Sequence, residues 1–436
     1  MTESAAASIA WRRSGERERG VAAVFRVEIS KLAAQTPARL AAAICLVAPF
    51  AFAGILRAQQ AVPADTLFGR WVHVSGLAVP LVILGFAGSW GFPALAGLIA
   101  GDVFSSEDRH GTWKLILTRS RSRFELFAGK ILAAVCVVTA TVALLAVASL
   151  AAGMLLVGTK PLVGLSGQTI PAGHAVELVA ASWALALAPV LGFTSLAILL
   201  SVTTRSSVVG VFGPAAIGLV MQLLGLLGSG EVVRTLLLGS GFDAWHGMFA
   251  SPAFHGPVMQ AVLVSGVYVL VALVVAWARF RGRDIAGDGA ERRSWRVPAA
   301  WAGAAVALVA LLVVASGLGR AGVSAGRLDA AIAPEFGNLV GLRERLIGRT
   351  PPAGSRLEVL STCLRRGAPT PYRGAGDDWT CTLSLVGSNL RQLPANYDVD
   401  VRPNGCYTAE GPASVGGATL GGVPNPLHAF DGCFEP

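Results

Sequence analysis

Residues 131–159 read ILAAVCVVTATVALLAVASLAAGMLLVGT, 29 consecutive positions with no Asp, Glu, Lys or Arg. A helix rises ~1.5 Å per residue, so roughly 20 apolar residues cross the ~30 Å hydrocarbon core of a bilayer. Six other stretches also lack those four residue types: 40–56, 71–101, 178–204, 206–230, 244–278 and 297–319. One span is read in each, seven in all. The second is over-long and carries Pro80, Gly88, Gly91 and Pro93, which predicts a kinked or broken helix. In the sixth, Pro252 and Gly256 set off an outer re-entrant or interfacial segment at 244–256, with the span proper at about 257–278. Ala51-Phe52-Ala53 has the form of a signal-peptide cleavage site, but a long charged leader precedes it and six spans follow, so the first helix is read as uncleaved.

The composition agrees. Of 436 residues, 53% are hydrophobic and only 14% charged, against about 25% charged in an ordinary soluble domain. Mean hydropathy is +0.61. A soluble enzyme is excluded on these grounds. The net charge of +9 points either to nucleic acid or to a membrane surface, and its distribution decides between them. With the N-terminus inside, segments 1–39, 101–130, 205 and 279–296 face the cytoplasm and hold 20 Lys and Arg, whereas the outer loops hold Arg57, Arg70, Lys160 and Arg234. Cytoplasmic loops of membrane proteins are enriched in Lys and Arg. The charge therefore reports membrane orientation, no nucleic-acid partner is expected, and seven spans put the C-terminus outside.

Cysteine placement is an independent check. Cys45 and Cys136 fall in spans and read as small buried hydrophobes. Cys363, Cys381, Cys406 and Cys433 all lie in the C-terminal segment 320–436. Four cysteines in a loop-rich extracytoplasmic segment read as two disulfides. Three pairings are possible, of which the sequential one, Cys363–Cys381 with Cys406–Cys433, is favoured. No C-x-x-C pair is present, which argues against zinc. Leu357–Leu360, Trp379–Leu385 and Tyr397–Val401 alternate as half-buried strands do, and Pro403-Asn404-Gly405 reads as a hairpin turn. The expectation is a small β-rich, disulfide-containing domain.

The chemistry that is missing narrows the function. A chain that hydrolyses ATP through a phosphate loop needs Gly-Lys-Ser/Thr. Here Gly129-Lys130 is followed by Ile131, and Gly348-Arg349-Thr350 lacks the lysine. An ATPase must be a separate subunit. The spans hold no Asp, Glu, Lys or Arg away from their ends, which weighs against a proton- or ion-coupled carrier. The six histidines, His73, His110, His174, His246, His255 and His428, do not cluster at metal-ligand spacing, so no metal site is expected. No serine, histidine and carboxylate set stands out, and the chain is read as a non-enzyme.

The loop between the second and third spans carries the most information. Glu107, Asp108, Arg109, His110, Gly111 and Thr112 lead into Trp113, Leu115, Ile116 and Leu117, apolar residues inside a charged loop. They suggest a short amphipathic helix that docks on lipid headgroups or on another protein. Ser120-Arg121, Arg123 and Gly129-Lys130 follow. In this order of an acidic residue, Gly-Thr, a short apolar stretch, a Ser/Arg cluster and Gly-Lys, the chain resembles the membrane permease subunit of type-two ABC exporters.

The resemblance covers about residues 20–283 and implies an all-α polytopic fold with a six-helix core. It implies an interfacial helix within Val21–Ala38 (Phe25, Arg26, Glu28, Lys31) and a re-entrant element within 229–256. It also implies that Glu107, Asp108, Arg109, His110, Gly111, Thr112, Trp113, Leu115 and Arg121 form a coupling loop contacting an ATP-binding-cassette ATPase. ATP and Mg²⁺ would then be held by that ATPase, with no cofactor in this chain, and the partners would be the ATPase, membrane lipids and a second permease, identical or related. The tail 1–20, the linker 284–296, the seventh span 297–319 and the extracytoplasmic domain 320–436 are additions to the family pattern. The alternatives are a membrane-anchored envelope protein or sensor with an outer ligand-binding domain, and an ion-coupled secondary carrier.

Overall fold

Long runs of Leu, Val and Ala broken only at their charged borders fold as helices, because in lipid each backbone N–H must find its partner within the segment. The computed structural model describes residues 20–59, 66–113, 122–226, 236–283, 322–349, 357–367, 370, 372–386, 394–402, 404–420 and 423–435. Helix α1 (20–34) leads into α2 (Thr36–Gln59). The next span is built from α3 (Val79–Phe86), a π-helical turn at Ala87–Gly91 and α4 (Phe92–Ala100), followed by the short α5 (Ser105–His110). Then come α6 (Arg123–Leu156), α7 (Ala172–Thr204), α8 (Ser207–Leu226) and α9 (Gly256–Arg281).

Six of the described helical segments are long and apolar enough to cross a membrane. They coincide with the first six expected spans, and the chain is a membrane protein. The seventh expected span, 297–319, and the linker 284–296 lie outside the described residues. The break in the second span falls where its prolines and glycines placed it. Pro93 has no N–H to give the carbonyl four residues back, and the π-helical turn absorbs the mismatch. Farther along α4, a Cβ on Gly97 would lie 2.1 Å from the Val211 carbonyl oxygen, and one on Gly101 would lie 2.2 Å from that of Gly210. The glycine pair lets the α4 and α8 backbones touch, as small residues do between helices in lipid. Cys45 is buried as expected, whereas Cys136 is exposed on the outer face of α6.

The helices alternate in direction, so the bundle has two distinct ends. One gathers α1, α5, the start of α6 and the ends of α7 and α9, joined by contacts such as Arg123 Nη1 to the Arg281 carbonyl at 2.6 Å. This is the loop end. The other gathers residues 66–78, 157–171 and 236–256, where the Gly76 N–H bonds Gly158 and the Leu165 N–H bonds Phe249. Two features here are absent from the sequence reading. One is a small hairpin, β1 (Leu162–Val163) with β2 (Thr169–Ile170). The other is a pair of 3-10 turns, Leu238–Asp243 and His246–Phe249, in the segment expected to be re-entrant.

The C-terminal domain packs on this second end. Its five-stranded antiparallel sheet has the order β3-β4-β5-β6-β9, from β3 (Glu358–Arg365), β4 (Gly376–Val386), β5 (Ala395–Val401), β6 (Cys406–Glu410) and β9 (Ala429–Cys433). A two-stranded ribbon, β7 (Thr419–Leu420) with β8 (Val423–Pro424), lies between β6 and β9. The three alternating segments are strands, and Gly405, at φ +81°, turns the chain from β5 into β6; Pro403 lies outside the described residues. The expected sequential disulfides are present, each joining residues directly opposite across a strand pair. Cys363–Cys381 sits in the domain's own core, whereas Cys406–Cys433 packs into the core of the helix bundle.

The domain is β-rich as expected, and it adds a helix: α10 (Ala325–Leu346) covers one face of the sheet with Leu328, Ile332, Phe336, Leu339 and Val340. Those five positions keep a helical period, which Pro334, three glycines and the charges around them obscure. Arg283 remains at the loop end, bonded to Asp108, while Val323 belongs to the C-terminal core. The chain therefore leaves the described bundle at one end and re-enters it at the other.

Candidate functional site: a buried ionic hub beneath the 105–113 turn

Helix α5 ends because Gly111 adopts φ +64°, a left-handed conformation that suits glycine, and its N–H closes on the Asp108 carbonyl. The chain then doubles back, with the Thr112 N–H bonding the Glu107 carbonyl, and Trp113 re-enters the protein. Trp113 is buried, stacked 6.2 Å from the Phe104 ring and 5.2 Å from Phe280 of α9.

Glu107 is only 5% exposed. Its carboxylate accepts hydrogen bonds from Lys130 Nζ at 3.1 Å, from Lys31 Nζ and from the Thr112 hydroxyl. Lys130, on α6, is fully buried. Its three ammonium protons are matched by Glu107, Glu28 Oε1 at 2.8 Å and the Val103 carbonyl at 3.2 Å. The same nitrogen lies 5.9 Å from the Phe104 ring centroid and 5.8 Å from that of Trp113, within cation–π range. Two carboxylates and two ammonium groups thus meet where α1, α5 and α6 cross. Gly129 makes the crossing possible, since a Cβ there would come 2.7 Å from Val24 Cβ on α1. In the Gly129-Lys130 pair, the glycine admits α1 and the lysine receives the Glu28 that α1 brings.

Two further contacts brace the turn. Arg283 Nη1 reaches both Asp108 oxygens, at 2.9 and 3.2 Å, and its other nitrogen donates to the Val202 carbonyl at the end of α7. Asp102 accepts from Ser105, from Arg109 at 3.2 Å and from Ser207 at the start of α8. At the start of α6, Ser122 and Glu125 form a reciprocal capping box that fixes where the helix begins.

The candidate coupling residues therefore divide into two groups. Glu107, Asp108, Thr112 and Trp113 are drawn into the protein and tie α5 to α1, α6 and α9. Arg109, His110 and Gly111 are exposed at the tip of the turn. Leu115 and Arg121 lie outside the described residues. Lys130, Glu28, Lys31, Asp102 and Arg283 belong to this site although the loop motif alone does not mark them as site residues. The available signal was Glu28 and Lys31 three residues apart on an amphipathic helix, beside a Gly-Lys pair at the mouth of an apolar run. Among the described residues no group of His, Cys, Asp and Glu could hold a metal ion.

The fold and the hub define a class: a polytopic membrane protein whose helices are keyed to one braced turn at one end and to a disulfide-bonded domain at the other. Residues 79–286 match a family described as a protein of unknown function, DUF2705. The matched region takes in α3 to α9 with Glu107, Asp108, Lys130 and Arg283, and leaves out α1, α2 and the C-terminal domain. No curated protein matches the chain.

Proposed function

We propose that the chain is the membrane permease subunit of an ATP-binding-cassette exporter, and that the tip Arg109-His110-Gly111 receives a separate ATPase subunit. The observation that carries this reading is the division of the turn. A small exposed tip rides on a buried base whose ionic and aromatic contacts reach α1, α6, α7 and α9. A push on the tip cannot be absorbed locally. Moving Glu107 drags Lys130 with α6 and Glu28 with α1, and moving Asp108 drags Arg283 with α9. That is what a coupling element needs in order to pass closure of ATP-loaded subunits to the spans. ATP and Mg²⁺ are held by the partner. Two permeases, identical or related, enclose the path.

Orientation follows from charge and redox chemistry. The loop end belongs to the Lys/Arg-rich side, which faces the cytoplasm. The disulfides belong on the opposite, oxidising side. The test is co-expression with a candidate ATP-binding-cassette ATPase subunit, then purification and reconstitution into vesicles. The expected result is a stable complex whose transport needs ATP and survives collapse of ion gradients. Transport that proceeds without the ATPase and stops when the gradient is collapsed overturns the reading in favour of a secondary carrier.

A further inference from the structure

The sheet end holds a second set of buried polar contacts that the coupling role does not use. Arg70, in the 3-10 turn Gly69–Trp71 ahead of the second span, reaches into the C-terminal domain, where its Nε lies 3.6 Å from Asp431 Oδ2 on β9. Their side chains are 16% and 6% exposed. Neither of these two atoms has a hydrogen-bond partner. The other Asp431 oxygen accepts from Thr408 at 2.9 Å, on the neighbouring strand. Along the same strand pair, Cys406 Sγ rests 3.7 Å from Nδ1 of His246. Burial, with Arg402 nearby, holds that imidazole down to about 3, so it is neutral.

The hairpin completes the contact. The Asn338 side chain on α10 donates to the Ser166 carbonyl at 2.7 Å, while the Ser166 hydroxyl accepts from the Ser251 N–H and Gln168 donates to the Phe249 carbonyl. The C-terminal domain, the hairpin 162–170 and the segment 238–254 are thus interlocked. That segment in turn places Phe242 against Phe193 of α7 and Phe92 of α4, at 6.1 and 5.5 Å between ring centroids.

We propose that the C-terminal domain is a clamp. Seated through Arg70 and Asp431, it holds the 162–170 hairpin and the 238–254 segment in place, and unseating it releases both. The form of the ion pair supports separability. A buried pair gains back its desolvation cost only with close hydrogen-bonded geometry, and this one stands at 3.6 Å with an unbonded nitrogen and oxygen. It sets the register of the docked domain without welding it. Cutting either partner takes away the nearest opposite charge and leaves Asp431 with Arg402 and the Thr408 hydroxyl, or Arg70 with no carboxylate at 3.6 Å, and the group left behind gains hydration when the two surfaces separate. What the clamp regulates rests on the exporter reading: with 238–254 pinned against α4 and α7, the outward end of the path stays shut.

Hydrogen exchange of the full chain in lipid nanodiscs tests the clamp without any ATPase, so its failure is distinct from failure of the exporter reading. Asp431→Asn keeps an acceptor for Thr408, and Arg70→Met lies outside the sheet altogether. Each is expected to speed exchange in 162–170 and 238–254 by about tenfold or more while β3–β5 keep their protection. Unchanged exchange in the two segments in either variant overturns the clamp. So does loss of protection that spreads to β3–β5, since Asp431 and Arg70 would then serve the fold of the domain and not its seating.

Discussion

Glu107 at the loop end and Glu335 at the sheet end are buried to a similar depth, 5% and 2% exposed, yet they meet opposite surroundings. Glu107 faces two ammonium groups and a hydroxyl. Glu335, on α10, faces the hydroxyl of Tyr407, which donates to it. Burial drives the Glu335 carboxyl well above its usual range, with the Asp431 charge adding to the effect and the Tyr407 bond opposing it. Burial and the neighbouring Glu335 likewise push the Tyr407 phenol up. Both shifts favour the uncharged forms of the acid and the phenol. The difference follows from what each end has to join. The hub ties together Glu28 of α1, Glu107 of α5 and Lys130 of α6, which come from different helices and need directional contacts between charges. Glu335 lies within a single domain already fastened by disulfides, where a neutral pair costs less to bury.

The largest effect is expected from breaking the hub. Lys130→Met strands Glu28 and Glu107 without their shared cation, and removing one partner of a buried ion pair costs about 3–5 kcal/mol. Thermal unfolding of the purified protein should show a large drop in midpoint. Adding Glu28→Gln and Glu107→Gln to the same variant should recover much of it, since replacing a whole buried charge set is far milder than halving one. A single variant that unfolds like the wild type would mean that packing, not charge, holds α1 to α6.

Next in size is the covalent staple that the loop end lacks. Replacing Cys363 and Cys381 together by serine is expected to cost the C-terminal domain about 2–4 kcal/mol. Hydrogen exchange should rise across β3 and β4 and stay unchanged in α5 and α6. Equal loosening at both ends would show that the two do not fold as separable units.

The two ends also differed in how far the sequence disclosed them. The spans were legible because lipid demands long uncharged runs, and the disulfides because four cysteines cluster in one polar segment. Strands β4 and β5 show plain alternation, as in Trp379, Cys381 and Leu383 facing one way. Helix α10 was hidden because its apolar stripe is narrow and interrupted by Gly326, Pro334 and Gly337. The 105–113 turn stood out as a motif, but its division into anchors and tip depends on which side chains find Lys130 and Arg283, and those partners lie far away in the chain. Spacing reports local periodicity. It does not report a salt bridge between residues 107 and 31.

A smaller effect separates the two buried glutamates by pH. The folded state holds Glu335 protonated above its ordinary value of 4.5. The unfolded chain therefore gives up this proton first as pH rises, and the domain loses stability between 4.5 and the raised value. Glu335→Gln keeps an acceptor for Tyr407 and cannot ionise. The wild-type domain should lose more stability than the variant does between pH 5 and pH 8, read from denaturant unfolding at the two pH values. Parallel pH profiles for the two proteins would show that Glu335 is ionised in place.

The smallest stability change carries the most functional weight. Arg109 is 57% exposed, and its pair with Asp102 is of the solvent-facing kind that contributes little. Arg109→Ala combined with His110→Ala gives up this exposed pair and the His110 Nδ1 contact with the Ser106 carbonyl, and should lower unfolding stability by no more than about 1 kcal/mol. The same change strips the side chains from the exposed tip and should abolish co-purification with the proposed ATPase subunit. Glu107→Gln is the necessary contrast. It weakens the base as well as the contact, so stability and assembly fall together. Loss of assembly with stability intact places the contact on the tip. If the double variant still binds the ATPase and transports, the tip is not the contact, and the hub serves only to hold α1, α6 and α9 together.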